Sequence, residues 1–172
     1  MVDAAKQHSY TQRLLQKQLD MVNKNSDLNV SVGLEKSNLF EWNICFEGPQ
    51  DSLYEGGFFQ AVLSFPDNYP DMPPKMKFVT EMWHPNIYPD GTVCISILHS
   101  PGVDQFNQQE KETERWRPVL TAEDIIISVI SMLMDPNTES PANIDASVQF
   151  RDDRENYKKK VRALTRKSIG DL

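Results

Sequence analysis

Proline crowds the middle of this chain. Nine of its 11 prolines fall between Pro49 and Pro118, and none precedes Pro49. Proline locks φ and has no backbone N–H, so it is kept out of helix interiors and central strands. The chain therefore divides into helical ends and a middle of short strands and fixed loops.

Both ends carry helical periodicity. Residues about 5–24 read as a helix, with Leu15, Leu19 and Val22 on one face. The stretch LTAEDIIISVISMLMDP reads as a second, with Thr121 as N-cap and Asp124 three residues on. Ile126, Val129, Ile130 and Leu133 line one side of it, and Asp135-Pro136 stops it. A last helical region runs from about Asp145 to Lys167, interrupted near Arg151–Asn156.

Between the ends the period falls to two. Leu28, Val30 and Val32 alternate; then FEWNICF sets Phe40, Trp42, Ile44 and Phe46 on one face and Glu41, Asn43 and Cys45 on the other. FFQAVLSF and MKFVT read as third and fourth strands. Turn residues separate them at 48–51, 55–57 and 65–75. Strands joined this closely make an antiparallel meander, so the expected class is α+β. After the fourth strand, regular patterning is lost over about 81–120. Loops this long in a compact domain are usually functional.

A length of 172 residues suits one domain, taken as 1–172. There is no apolar run of about 18 or more residues, hence no membrane span, and MVDAAKQHSYTQRLLQ is not a secretory signal. A net charge of −7 argues against nucleic acid as a partner, and the basic run YKKKVRALTRK suits a helix C-terminus. The two cysteines, Cys45 and Cys94, are 49 positions apart; they suggest neither a disulfide framework nor a metal site, and they fit a reducing compartment. Cys45 sits in a strand and reads as a packing residue.

Cys94 lies in the long segment, within HPNIYPDGTVCISILH. No neighbour in sequence is an evident general base: His84 is ten residues before it and His99 five after, and neither spacing fits a familiar cysteine-hydrolase signature. His84 reads better as a residue fixing a loop through its ring nitrogens. His99 begins the following segment and is a candidate to sit near the thiol.

At these residues the chain resembles the ubiquitin-conjugating enzymes. The likeness rests on His84-Pro85-Asn86, Cys94, Trp116-Arg117-Pro118, Asp135-Pro136-Asn137, and Tyr69-Pro70-Asp71-Met72-Pro73-Pro74. It covers about residues 10–168, in the order helix, four strands, long active-site segment, helices. Cys94 and Trp116 stand 22 residues apart, roughly a dozen more than in typical members. That likens the chain to the subgroup with an acidic loop inserted after the cysteine, here about 99–114.

The resemblance implies a reaction. Cys94 accepts ubiquitin's C-terminus as a thioester from an activating enzyme and passes it to a lysine. A thiolate is both a good nucleophile and a good leaving group, and the acyl group arrives activated, so no hydrolase-style base is needed to attack an amide. Asn86 is expected to stabilise the oxyanion, with a structural role bonded to loop backbone as the alternative. His84, Ser96, His99, Asn137 and Ser140 are expected around the site. Two departures stand out: Ser96 replaces a common aspartate, and Asn137-Thr138-Glu139-Ser140 lacks the usual acidic residue. The insertion offers Asp104, Glu110, Glu112 and Glu114 instead, to position the acceptor lysine.

The resemblance also implies partners: ubiquitin, its activating enzyme, a RING-type ligase and a protein substrate. Asp71, Met72 and Pro73 with Pro118 and Val119 would meet the ligase; Arg13 and Lys17 would meet the activating enzyme. No cofactor or metal is expected, since ATP is used upstream. The subgroup implies lysine-48-linked chains and protein degradation, in the cytoplasm, the nucleus, or at the endoplasmic reticulum surface through a partner. Three alternatives stay open: an inert ubiquitin-binding adaptor, a cysteine hydrolase using Cys94 with His84 or His99, and an enzyme for another ubiquitin-like modifier.

Overall fold

The computed structural model describes residues 3–170; residues 1–2 and 171–172, the ends of the expected domain, lie outside the described residues. The order is α1 (Ala4–Lys24), β1 (Val30–Glu35), β2 (Asn38–Glu47), β3 (Phe58–Ser64), β4 (Lys75–Phe78), α2 (Ala122–Met134), α3 (Ile144–Asp152) and α4 (Arg154–Ser168). The four strands form one antiparallel sheet in chain order, the expected meander.

Alternation in the strands becomes rows across the sheet. Val32, Ile44, Ala61 and Phe78 are register partners in turn, and Leu34, Trp42, Leu63 and Met76 make the next row. The helices cover this face with Leu15, Leu19 and Val22 of α1, Ile125, Ile126 and Val129 of α2, and Tyr157 and Val161 of α4. Burying each such side chain contributes about 1.5–3 kcal/mol. Cys45 is half-buried on the opposite face, outside this core.

Two expectations shift. Leu28 does not begin β1: Ser26–Leu28 is a 3-10 turn, with the Asn25 side chain accepting from Asp27 N–H and Asn29 left-handed at φ 53°. Capping chemistry overrides the apolar alternation there. On α2 the buried arc includes Ala122, Ile125 and Met132 while Ile130 is only partly buried. The helix is packed against both the sheet-backed core and α1, so its apolar arc is wider than one stripe. Thr121 caps α2 as expected, in a reciprocal pair with Asp124. The break in the last helical region is Asp153, which ends α3 and caps α4 through Asn156.

The long segment is held by a few buried polar bonds. Trp116 Nε1 donates to Pro70 O at 2.7 Å, joining the end of the segment to the loop before β4. Tyr69 Oη donates to Gln18 Oε1 at 2.7 Å, and Ala122 N donates to the same oxygen at 3.0 Å. One amide oxygen on α1 thus fixes both that loop and the first turn of α2. At the other end Gly91, with φ 97°, passes so close to Phe78 O that a Cβ would strike it. His84, fully buried, bridges the segment to α2: its ring lies 2.9 Å from Met132 O through Nε2, and Nδ1 accepts from Asn86 N at 2.9 Å. This assigns the neutral ring with its proton on Nε2, and burial pushes the group down to about 4.

Replacing Gln18 by Met strands a buried hydroxyl and a buried N–H, at about 1–3 kcal/mol each. Denaturant unfolding will find Gln18→Met more destabilising than Tyr69→Phe, which leaves the amide oxygen its bond to Ala122. His84 has a separate signature. Its folded value, about 4, is below its ordinary 6.5, so the unfolded chain binds the proton first as pH falls. The stabilisation from the neutral ring is complete above pH 6.5 and is lost toward pH 4, by about 3 kcal/mol. The destabilisation caused by His84→Gln will be largest at pH 7.5 and shrink by pH 4.5 in the same unfolding measurement.

Candidate active site

Cys94 follows a short return of the chain toward the sheet. Val93 N donates to Met76 O at 2.9 Å, and Cys94 N donates to Asn86 O at 2.9 Å. The next residues, Ser96–Leu98, turn through a 3-10 helix, with His99 N donating to Ser96 O. The sulfur is thereby turned outward. Cys94 is half-buried and lines a cleft of about 380 Å³ with Asn86, His99, Glu110, Asn137 and Ser140.

Asn86 forms the floor. Its Nδ2 donates to Asn137 O at 2.7 Å and its Oδ1 accepts from Asn137 N at 2.8 Å. The side chain is 3% exposed, and both polar atoms are committed to the backbone of the loop after α2. One Nδ2 proton remains beyond those bonds. Pro85 O accepts from Ala142 N and Asn143 N, so the same short stretch also ties down the start of α3.

His99 returns to the sulfur. Nε2 lies 3.5 Å from Cys94 Sγ, and Nδ1 lies 2.7 Å from Glu110 Oε1. Arg115 Nη1 meets Glu110 Oε2 at 2.6 Å and Asp104 Oδ2 at 3.4 Å, while Arg115 Nε donates to Ser100 O at 2.8 Å. The pocket is therefore not base-poor, as the sequence alone suggested. A spacing of five residues looks too short for a triad, but the 3-10 turn folds the ring back over the thiol. Glu110 stands out among the four acidic candidates because Arg115 is buried and holds it.

These contacts set the electrostatics. The hydrogen bond with His99 is the main influence lowering the Cys94 thiol; burial opposes it, and the His99 charge and the Tyr88 hydroxyl assist. His99 is raised, chiefly by Cys94 and then by Glu110, against partial burial. Burial works to raise Glu110, but hydrogen bonds with Ser96 and His99 and the charges of His99 and Arg115 prevail and hold it below its ordinary value. Tyr88 is raised, first by the charge of Cys94 beside it. Both shifts act toward the thiolate–imidazolium form of the pair.

The other expected residues separate. Ser96 joins the cleft through Glu110, and Asn137 and Ser140 line its far wall. Glu114 also lines it, whereas Glu112 is exposed in a short turn away from the sulfur. The loop that carries Asp71, Met72 and Pro73 is bonded through Pro70 O to Trp116, two residues before the Pro118-Val119 pair; Val119 is 76% exposed. Arg13 and Lys17 are exposed on α1. Among the described residues no three His, Cys, Asp or Glu side chains are grouped to hold a metal ion, and no helix is long and apolar enough to cross a membrane.

Comparison with known proteins agrees with this architecture. The ubiquitin-conjugating enzyme family model matches residues 14–165. Ubiquitin-conjugating enzyme E2 15 of Schizosaccharomyces pombe is 56% identical over 162 residues, 94% of this chain and 96% of that protein. Ubiquitin-conjugating enzyme E2 13 of Arabidopsis thaliana is 53% identical over 156 residues, 90% of this chain and 93% of that protein. Ubiquitin-conjugating enzyme E2 G2 of Homo sapiens is 53% identical over 141 residues, covering 82% and 85% of the two chains. An α+β sheet-and-helix fold, an outward-facing cysteine in a cleft and a family match across most of its length make this chain a member of the ubiquitin-conjugating enzyme family, a transferase that works with ubiquitin, an activating enzyme and a ligase.

Proposed function

We propose that Cys94 carries ubiquitin as a thioester and delivers it to lysine, building lysine-48-linked chains with a RING-type ligase for protein degradation. The observation that carries this reading is the position of Sγ: half-exposed at a cleft whose floor is Asn86 and whose near wall is the inserted loop. A sulfur with a lowered pKa is a competent acceptor in thioester exchange and, once acylated, a good leaving group. The cleft is open on one side, as a protein tail entering from a partner requires.

In this reading Asn86 has two tasks. It locks the Asn137 backbone beneath the sulfur, and its remaining Nδ2 proton is directed to the oxyanion that forms as lysine attacks. The inserted loop supplies the acidic surface that the Ser96 and Asn137–Ser140 departures remove. Glu114 and Glu112 are the loop carboxylates left to orient the acceptor ubiquitin, since Glu110 and Asp104 are tied to Arg115. The neighbouring Met72–Pro73 and Pro118–Val119 loops form the ligase surface, with little entropy lost on docking because proline already fixes them. Arg13 and Lys17 meet the activating enzyme. ATP is consumed by that enzyme and no cofactor binds here. The site of action is the cytoplasm, the nucleus, or the endoplasmic reticulum surface through a partner.

Charging assays test the central step. With activating enzyme, ATP and ubiquitin, the wild type will form an adduct released by thiol reductant, and Cys94→Ser will form one that survives it. An adduct released by reductant from the serine variant would overturn the assignment of Cys94. Replacing Glu112 and Glu114 together by Gln will slow formation of ubiquitin chains about tenfold while leaving the charged adduct intact. Equal chain-forming rates would remove these carboxylates from the mechanism.

A further inference from the structure

A lysine that attacks a thioester must lose a proton, and the cleft contains one group built to receive it. His99 Nδ1 is paired with Glu110 Oε1 at 2.7 Å, which assigns the ring's proton to Nδ1 when the ring is neutral and leaves the Nε2 lone pair toward the sulfur. In the free enzyme Nε2 is engaged by its 3.5 Å contact with Sγ. Acylation removes both the thiol proton and the thiolate charge, so the contact dissolves and Nε2 is released at the very position where a new carbonyl carbon is bonded to Sγ. An amine approaching that carbon comes within about 3 Å of Nε2, directly or through one water.

Resting on the reading of Cys94 as the acyl carrier, we propose that His99 is the general base of lysine transfer, held in its working tautomer by Glu110, which Arg115 fixes in turn. The step balances. The amine nitrogen bonds to the carbonyl carbon, its proton passes to His99 Nε2, and the carbon–sulfur bond breaks to leave Cys94 as thiolate. The products are an amide and a thiolate beside an imidazolium, the direction in which the contacts of the free cleft shift both groups. Loss of one proton to solvent resets the ring. His99 is the catalytic residue; Glu110 and Arg115 are positioning residues.

The surroundings support this division of labour. Glu110 and Arg115 face His99 from the inserted loop, with Asp104 behind Arg115. Tyr88 faces the sulfur from the other side, but its phenol is raised and holds its proton at neutral pH. Glu114, Asp135 and Glu139 line the same cleft without a hydrogen bond to His99 or to Sγ. A histidine here also explains why the cleft functions without an acidic residue two positions after the cysteine: Ser96 lines the same cleft as Glu110 and helps hold that carboxyl below its ordinary value.

The test separates transfer from charging. Wild type, His99→Gln, His99→Ala and Glu110→Gln are charged with ubiquitin to completion, the activating enzyme is quenched, and thioester loss to free lysine is followed from pH 6 to pH 9. His99→Gln is expected to lose about 100-fold at pH 8. The ratio of wild-type to variant rate falls toward one as pH drops through the histidine range, since a protonated ring accepts nothing. Glu110→Gln loses less and moves that inflection to lower pH, because the carboxylate that raises the ring is gone. Added imidazole restores rate to His99→Ala. A ratio that does not change with pH, or a His99→Ala variant that imidazole leaves unchanged, overturns the proposal while Cys94 stands. A wild type that forms no reducible adduct overturns both.

Discussion

Asn86 donates to the carbonyl of Asn137 and accepts from its N–H, while its own carbonyl takes the N–H of Cys94. Three loops with no strand or helix of their own at this point are joined through one residue. Buried backbone groups must be paired, and here the partners come from a side chain because no ladder passes through the cleft. The fold upstream exists to deliver these loops together: β4 hands the chain to Gly91, His84 clamps it to the last turn of α2, and Pro85 accepts from the start of α3. Loss of the Asn86 amide would leave both Asn137 backbone groups without their partner.

Arg115, Glu110, His99 and Cys94 form one chain of contacts. A guanidinium and a carboxylate that are each about nine-tenths buried would be costly alone, and the removal of one partner of such a pair costs about 3–5 kcal/mol. Here each charge has a second partner. Arg115 also donates to Ser100 O and meets Asp104; Glu110 also meets His99. The charge of Glu110 pushes the Cys94 thiol up, but the same carboxylate raises His99, and the hydrogen bond and charge of that ring prevail and hold the thiol below its ordinary value.

Much of this was legible in the chain. Strand alternation is strict because one face of the sheet is buried and the other is not, so Trp42, Ile44 and Phe46 announced their own orientation. The caps of α2 and the interruption before α4 were visible in Thr121, Asp124 and the Arg151–Asn156 stretch for the same local reason. His84 was readable as a loop clamp, though its partner on α2, 48 residues away, was not. Nor could periodicity detect the approach of His99 to Cys94, which depends on a single 3-10 turn in an aperiodic segment. The choice of Glu110 over three other acidic residues depends on a long-range fact, the burial of Arg115 against Ser100 and Trp116's neighbourhood, that no local pattern encodes. Leu28 failed in the opposite direction: the apolar alternation was present, but Asn25 and Asn29 bent the backbone first.

The inserted loop is closed at its base. Trp116 N donates to His99 O at 3.1 Å, and Arg115 Nε donates to Ser100 O, so the two ends of the excursion are bonded to each other beside the sulfur. Closing a loop costs entropy that grows only with the logarithm of its length, so once the base is fixed, added residues at the tip are tolerated cheaply. The tip bears this out in composition: Val103 and Phe106 are 75% and 99% exposed, positions that no core demand explains. Base and tip are therefore under different constraints. The base must hold Arg115, Glu110 and His99 in register with Cys94; the tip meets that register through Asp104 on Arg115 and through Asn107 O, which accepts from Glu110 N, while Val103 and Phe106, before and between these contacts, face solvent and are free to differ in apolar character.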